Sequence, residues 1–179
     1  MTEDGDEHLV RRTLDGERNA FGALVHRYQK PVYNAALRLL RDPDAARDVA
    51  QTAFLKAFEH LADYDPHYRF YSWLYRIAVN EALHQLERRK PESDLTGEEI
   101  DPDPGPERRA EGDDARRELE AALMVLNPEL RSVVVLRHVL HLSYEDIGTA
   151  LAIPEKTVKS RLYSARQQLR TRLTERRVL

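Results

Sequence analysis

The sequence predicts an all-α protein made of two small helical domains joined by an acidic linker. Apolar residues recur at three- and four-residue steps through most of the 179-residue chain, and strand-type alternation is nowhere sustained. Residues 91–115 hold four of the nine Pro and three of the seven Gly, with ten acidic and two basic side chains. Residues 116–179 instead hold twelve basic and seven acidic side chains, and charge divided into such blocks indicates separate modules.

The predicted domains are residues 1–90 and 116–179, and residues 91–115 form the linker. Leu95 and Ile100 are the only bulky apolar residues of the linker. So little apolar surface cannot offset the entropy lost on ordering, and we expect this segment to be disordered.

Three helices are predicted in the first domain. The first runs from residue 19 to residue 40 with a kink or restart at Pro31, because proline has no amide hydrogen to donate. The second opens at Asp42, an N-cap residue followed by a proline at the first helical position. The third runs from residue 70 to residue 89, after a break at residues 64–67.

The second domain ends in a predicted helix-turn-helix. A helix from about residue 116 ends at residue 126, and Asn127 with Pro128 starts the next helix. Ser143 caps a short helix that ends at Leu151. The turn at residues 152–154 then leads to a basic helix over 155–172, and this order is the sequence form of a helix-turn-helix.

The last helix carries the strongest DNA-binding signal. From residue 155 to residue 179 there are eight basic and two acidic side chains. The apolar stripe Val158, Leu162, Ala165 and Leu169 is predicted to face the core, which leaves the polar and basic face toward DNA bases and phosphates. The alternative is a solvated basic helix in an unrelated helical bundle.

A cluster of aromatic residues precedes and begins the third helix. Six of the 13 aromatic residues lie within residues 64–75, and Arg69 lies among them. Aromatic rings interleaved with arginine suit single-stranded nucleic acid, whose bases stack on rings. Aromatic residues at helical spacing are more often core, however, and we expect Phe70, Leu74 and Ile77 to be buried.

Catalysis, a metal site and membrane insertion are not indicated. Cys is absent, no glycine-rich phosphate loop or nucleophile motif occurs, and no run approaches the length of a membrane span. His138 and His141 are spaced to share a metal, but no further ligand lies beside them on their helix. We therefore expect no enzyme activity, no cofactor, no metal and a cytoplasmic location.

Three stretches of the chain resemble the extracytoplasmic-function sigma factors, the smallest members of the sigma-70 family. Residues 42–58 resemble the segment that binds the polymerase clamp, residues 70–90 the promoter-melting segment, and residues 126–170 the reader of the upstream element. The order and spacing of the three are far more specific than a lone helix-turn-helix. The resemblance implies a non-enzymatic subunit that binds the clamp and flap of core RNA polymerase and promoter DNA, and that is held by an anti-sigma factor.

The resemblance also implies roles for particular residues. Polymerase contacts would fall on Asp48, Gln51, Thr52 and Leu55. Contacts with the downstream (minus-10) element, including capture of a flipped base by the loop at residues 64–69, would fall on Tyr64, Asp65, His67, Tyr68, Arg69, Trp73, Arg76, Asn80, Arg88 and Arg89. Contacts with the upstream (minus-35) element would fall on Lys156, Thr157, Lys159, Ser160, Tyr163, Ser164 and Arg166.

The chain departs from the family's pattern at three positions. Thr52 replaces the usual Glu, which puts one polar polymerase contact in question. Lys156 replaces the usual Gly and adds a cation at the start of the DNA-facing helix. Gly148 replaces the usual Ala inside a helix, at an expected cost of about 1 kcal/mol.

Two other functions fit part of the sequence. An operator-binding regulator would use the helix-turn-helix but has no need of the aromatic cluster. A sigma mimic that sequesters an anti-sigma factor would not require the cations Lys159, Arg161 and Arg166.

Overall fold

Every regular element in the described part of the chain is helical. A computed structural model describes residues 5–89 and 121–176, so the predicted linker and the start of the helix before Leu126 lie outside the described residues. Residues 121–125 are helical. The remaining elements are α1 (Asp6–Leu14), α2 (Arg18–Leu40), α3 (Pro43–Glu59), a 3₁₀ turn (Leu61–Asp63), α4 (Phe70–Arg89), α5 (Pro128–His138), α6 (Tyr144–Leu151) and α7 (Glu155–Arg176).

The predicted helix starts are confirmed by their capping geometry. Asp42 accepts hydrogen bonds from the backbone N–H groups of Asp44 and Ala45 at the start of α3. Asn127 accepts from the N–H of Leu130, and Ser143 accepts from the N–H of Asp146. These side chains satisfy amide groups that have no partner within their own helix.

The structure differs from the expectations at both ends and at Pro31. α1 was not predicted; Leu9 and Val10 are buried, and Asp6 accepts hydrogen bonds from Arg27 and Tyr28 of α2. α2 runs through Pro31 as one continuous helix, so the restart that was one of the two expectations there does not occur. Buried residues on either side of Pro31, among them Leu24 and Val32, hold the helix against the loss of one hydrogen bond. α7 extends four residues past the predicted end.

The helices pack in two groups that touch each other. α2, α3 and α4 pack together, with α1 against α2, and α5, α6 and α7 form the helix-turn-helix group. α4 packs against α6, and α2 packs against α5. The first domain therefore meets the second along the helix that carries the aromatic cluster.

A buried arginine links the two groups at the end of α2. Arg131 of α5 is only 5% exposed, and its guanidinium donates to the carbonyl oxygens of Leu123, Met124 and Leu126 and, across the contact, of Leu39 at 2.6 Å. Burial, together with nearby Arg41, lowers the pKa of this guanidinium from its ordinary value. Arg131 thus caps carbonyl groups at two helix ends at once, and its acceptor on α2 lies too far along the chain to be predicted from local sequence.

Candidate nucleic-acid and polymerase interfaces

The polar side of α7, which we call the reading face, lies in solvent. Val158, Leu162 and Ala165 are buried, as predicted from their spacing. Of the seven predicted upstream-element residues, Thr157 is half-buried and six are exposed: Lys156, Lys159, Ser160, Tyr163, Ser164 and Arg166. The structure therefore brings the predicted reading residues to one surface.

Gly148 permits the tight turn before the reading face. A Cβ atom at this position would lie 2.9 Å from the carbonyl oxygen of Ile153, and the N–H of Ile153 donates to the carbonyl of Gly148 at 3.0 Å. A contact that short requires the backbone to shift. The turn passes so close to α6 that the propensity cost expected from the sequence describes only part of the role of this glycine.

Lys159 is held in place by two neighbours. Its ammonium lies 2.6 Å from the carboxylate of Glu155, one turn earlier, and 5.7 Å from the centre of the Tyr144 ring. The hydrogen bond and charge of Glu155 raise the pKa of Lys159, so its positive charge persists at neutral pH. The same ring lies 4.8 Å from the guanidinium of Arg137, which donates to the carbonyl of Leu142.

Arg161 is turned away from the reading face. Its guanidinium donates to the carboxylate of Glu129 on α5 at 2.6 Å, and its side chain is about one quarter exposed. On this side of α7 an arginine can meet either a phosphate or an acidic neighbour, and the structure shows the acidic neighbour Glu129.

The loop at residues 64–69, which we call the capture loop, is ordered by its own polar groups. Asp65 accepts a hydrogen bond from the backbone N–H of His67 and lies 2.8 Å from the imidazole Nδ1 of the same residue. These contacts lower the pKa of Asp65, because both favour the carboxylate. Tyr68 is 51% exposed, and Asp65, His67 and Arg69 are exposed as well.

Tyr64 was predicted to contact DNA, but the structure places its side chain in the core below the capture loop. Its ring is 9% exposed and packs edge-on against Phe70 and, tilted, against Trp73, with centroids 5.7 and 5.5 Å apart. Its hydroxyl donates to the carbonyl of Tyr68, and burial raises the pKa of Tyr64 to about 12. A ring enclosed in this way has no free face on which a base could stack. Tyr64 instead holds the loop in place through its packing and its hydrogen bond to Tyr68.

α4 begins directly after the capture loop and carries the remaining predicted downstream-element residues along its length. Arg76, Asn80 and Arg88 are exposed, and Trp73 is half-buried. Arg89 is the last residue of α4, and its side chain lies outside the described part of the structure. Phe70 and Leu74 are buried as expected, whereas Ile77 is half-buried at the edge of the core.

The start of α4 is covered by the helix-turn-helix. Asp146 of α6 accepts hydrogen bonds from Ser72 at 3.0 Å and Tyr71 at 3.3 Å, and also from Ser143 of its own helix cap. Burial raises the pKa of Asp146, but the hydrogen bonds from Ser143 and Ser72 and the charge of Arg69 outweigh it, so the pKa lies below its ordinary value. Asp146 is therefore a carboxylate that joins the two domains.

The outer side of α3, which we call the clamp face, holds the predicted polymerase residues. Asp48 and Gln51 are exposed, Thr52 is half-buried, and Leu55 is 56% exposed. Beside them lies an apolar groove of about 690 Å³ between α2 and α3, lined by residues that include Phe21, Phe54 and Phe58. This groove was not predicted, although Leu55 and Phe58 are large apolar residues outside the buried row of α3 that includes Val49, Ala53 and Ala57, and they could have indicated it.

The described residues contain no group of three metal-binding side chains. His138 is exposed, and partial desolvation together with the positive charges of Arg137, Arg166 and His141 lowers the pKa of its imidazole. None of the helices in the described ranges is both long and apolar enough to cross a membrane.

Comparison with known proteins agrees with both halves of this arrangement. Residues 24–92 match the family model for sigma-70 region 2, and residues 116–169 match the model for sigma-70 region 4. The chain is 36% identical over 181 residues to the RNA polymerase sigma-H factor of Pseudomonas aeruginosa, and the match covers 94% of each protein. It is 35% identical over 176 residues to the ECF RNA polymerase sigma-E factor of Escherichia coli K12, covering 92% of each.

A solved structure shows the same likeness along nearly the whole chain. CnrH, in complex with the cytosolic domain of CnrY, is 28% identical with a TM-score of 0.75, and the match covers 96% of this chain and 99% of that one. The sigma factor RpoE of Bartonella quintana, solved with the anti-sigma factor NepR, has the same fold at 22% identity and a TM-score of 0.68.

A region 2 followed by a region 4, with the reading face exposed on the second, defines a sigma subunit of RNA polymerase. Within that class, the chain belongs to the extracytoplasmic-function group of the sigma-70 family, and it directs promoter recognition by RNA polymerase. The all-helical fold, the family and the non-enzymatic function predicted from the sequence are thereby confirmed.

Proposed function

We propose that three separate surfaces of this sigma factor have different binding roles in transcription initiation. The reading face of α7 binds the upstream element as duplex, the capture loop and α4 bind the downstream element as an opened strand, and the clamp face of α3 binds core polymerase. The exposure of the predicted residues on three different helices supports this division. The same observation predicts that each surface can be disabled without the others.

Capture of a flipped base rests on the exposed residues of the loop. Tyr68 and His67 offer ring faces for stacking, and Asp65 and Asn80 offer polar groups to a base edge. Loss of pairing and stacking costs a few kcal/mol, which stacking on rings at about 1–3 kcal/mol and hydrogen bonding can offset. Tyr64 contributes by fixing the loop, since its hydroxyl holds the carbonyl of Tyr68.

Docking to polymerase rests on the clamp face. Asp48 and Gln51 supply polar groups, and Leu55 supplies exposed apolar area at the edge of the groove. Thr52, in place of the family's usual Glu, removes one charge from this surface. Leu55, with its large exposed area, then carries a greater share of the binding free energy.

We further propose that residues 1–90, 91–115 and 116–179 act as two domains and a linker, and that an anti-sigma factor holds the chain in the cytoplasm. Two similar proteins were solved in complex with a partner, namely CnrH with the cytosolic domain of CnrY and the sigma factor RpoE with the anti-sigma factor NepR. The acidic linker, with its net charge of -8, then serves to keep the isolated chain from binding DNA.

Selective loss of function tests the division. Holoenzyme reconstituted with each of three altered chains is assayed for polymerase affinity and for run-off transcription: Gln51→Ala with Leu55→Ala on the clamp face, Tyr68→Ala in the capture loop, and Lys159→Ala on the reading face. The first alteration is expected to weaken polymerase binding, and the other two to leave it intact while lowering initiation. If Tyr68→Ala or Lys159→Ala weakens polymerase binding as much as the clamp-face change, the division is wrong.

A further inference from the structure

The ring of Tyr144 contacts two cations that come from two other helices. Tyr144 is the first residue of α6, directly after the Ser143 cap, so its backbone is fixed by a capped helix start. Arg137 reaches the ring from α5 at 4.8 Å, and Lys159 reaches it from α7 at 5.7 Å. The electron-rich face of an aromatic ring attracts a cation within about 6 Å of its centroid, and both distances satisfy this condition.

Lys159 needs such a partner more than most residues of the reading face. A lysine side chain has four rotatable bonds, and ordering it costs up to about 2 kcal/mol. Glu155 restrains the ammonium, but it also neutralises the charge that DNA would meet. A ring restrains the ammonium and leaves its full charge in place. Tyr144 thus orders Lys159 before DNA arrives, which lowers the cost of binding.

Arg137 is held at the Tyr144 ring by a second, independent contact. Its guanidinium donates to the carbonyl of Leu142 at 2.7 Å, so it is fixed at the ring by a second contact. Two like charges on one ring repel each other, and their shared position is maintained because each has its own further partner. The ring therefore joins α5, α6 and α7 at the edge of the reading face.

We propose that Tyr144 is a positioning residue that sets the sequence preference of the reading face by orienting Lys159. The inference rests on the proposed role of Lys159 in upstream-element recognition and adds a residue outside the seven predicted contacts. Its action is exerted through the ring and does not require the Tyr144 hydroxyl to touch DNA.

Two substitutions separate the ring from the volume of the side chain. Holoenzyme containing Tyr144→Phe keeps the aromatic face and is expected to bind promoter duplexes with the affinity and base preferences of the unmodified holoenzyme. Holoenzyme containing Tyr144→Leu keeps apolar volume but loses the face. It is expected to bind the preferred upstream element roughly 2–5-fold more weakly, with a flattened preference at one upstream base.

A double-substitution cycle with Lys159→Ala assigns the effect. If Tyr144 acts through Lys159, Tyr144→Leu changes base preference little once Lys159 is already Ala. Binding is measured on a set of duplexes that differ by one upstream base, and the melting temperature of each chain is recorded. Should Tyr144→Leu fold poorly, Tyr144→Met provides a second non-aromatic side chain of similar volume.

Three outcomes overturn the inference. Base preferences unchanged by Tyr144→Leu and Tyr144→Met show that the ring has no role in recognition. A Tyr144→Phe variant as weak as Tyr144→Leu shows that the hydroxyl contacts DNA directly. If the effects of Tyr144→Leu and Lys159→Ala on base preference simply multiply in the doubly substituted chain, the two residues act separately. Failure of the proposed function is recognised differently, because the unmodified holoenzyme would then show no upstream preference at all.

Discussion

The reading face of α7 and the capture loop with α4 are both predicted to contact DNA, but they are built in different ways. On α7, a single buried stripe anchors the helix, and six of seven predicted contacts lie in solvent with no part in the core. Around the capture loop, the aromatic side chains are divided. Tyr64, Phe70 and Tyr75 are buried, whereas Tyr68 is exposed. Identical residue types within twelve positions thus serve packing in one case and the surface in another.

This difference teaches that helix periodicity identifies a functional face only where the side chains of that face are positioned by their own helix and not by contacts with other elements. α7 carries its own buried stripe of Val158, Leu162 and Ala165, and the residues opposite this stripe must face outward. The capture loop has no periodicity, and which of its rings turn inward depends on α4 and on the hydrogen bond between the Tyr64 hydroxyl and Tyr68. Four predictions examine this comparison.

The largest expected effect comes from replacing residues 65–68 with Gly and Ser. Initiation on duplex promoters should be abolished, because base capture is lost, and a pre-melted template should restore only part of it. Core polymerase affinity should stay near that of the unmodified chain, since Asp48 and Gln51 lie on α3. Run-off transcription and a binding titration measure the two properties. Normal initiation with unchanged downstream base preference would show that the loop only packs.

Tyr64→Ala and Tyr68→Ala should differ in kind. Removing the buried Tyr64 ring leaves a cavity against Phe70 and Trp73, and we expect the free energy of unfolding to fall by about 3 kcal/mol. Tyr68→Ala should change it by less than about 0.5 kcal/mol, yet lower initiation. Urea denaturation of each full chain, followed by transcription assays, compares them. Equal losses of stability would contradict the division of the loop into packing and surface residues.

On the reading face, Lys159→Ala should cost about 1–3 kcal/mol of discrimination at one upstream base. Arg161→Ala breaks a partly exposed ion pair with Glu129 and should change stability by no more than about 1 kcal/mol, with the base preference unchanged. Glu129→Gln is the matched control, because it removes the same ion pair from the other side. Identical specificity profiles for Lys159→Ala and Arg161→Ala would reject the assignment.

The smallest effect concerns Asp146, which joins the two domains through Tyr71 and Ser72. Because its pKa is lowered in the folded chain, its contribution to stability is complete above the ordinary aspartate value of about 3.9 and is lost as pH falls through the lowered pKa. The unfolding free energy of the unmodified chain should therefore exceed that of Asp146→Asn near neutral pH. The gap should narrow in acid. A gap that does not depend on pH would show that the carboxylate charge does not matter there.

Much of this fold could be predicted because its signals are local. The caps at Asp42, Asn127 and Ser143 and the full extent of α4 follow from short motifs and from spacing. The positions of Tyr64 and Arg131 do not, because their partners lie on other elements. Arg131 among apolar residues of α5 was a signal of a buried cation, but nothing local identifies its acceptor as the carbonyl of Leu39, 92 residues away.

In the candidate sites, too, features with a local signal could be predicted and contacts between distant elements could not. The exposure of six of the seven reading-face residues could be predicted from helix spacing, whereas the neighbours of Lys159, Tyr144 and Glu155, become visible only in the folded structure. The groove beside the clamp face likewise needs both α2 and α3. Sequence patterns predicted most of the residues that face outward, Tyr64 being an exception, and the structure adds which side chains hold them in position.

Promoter-directed transcription tests the account most directly. Core RNA polymerase is incubated with genomic promoter fragments, with and without the full chain, and the 5′ ends of the transcripts are mapped. The account predicts discrete start sites that require the chain, that share an upstream and a downstream sequence element, and that are lost with the capture-loop replacement but not with Arg161→Ala. The same transcripts with and without the chain, or start sites that share only an upstream element, would contradict it.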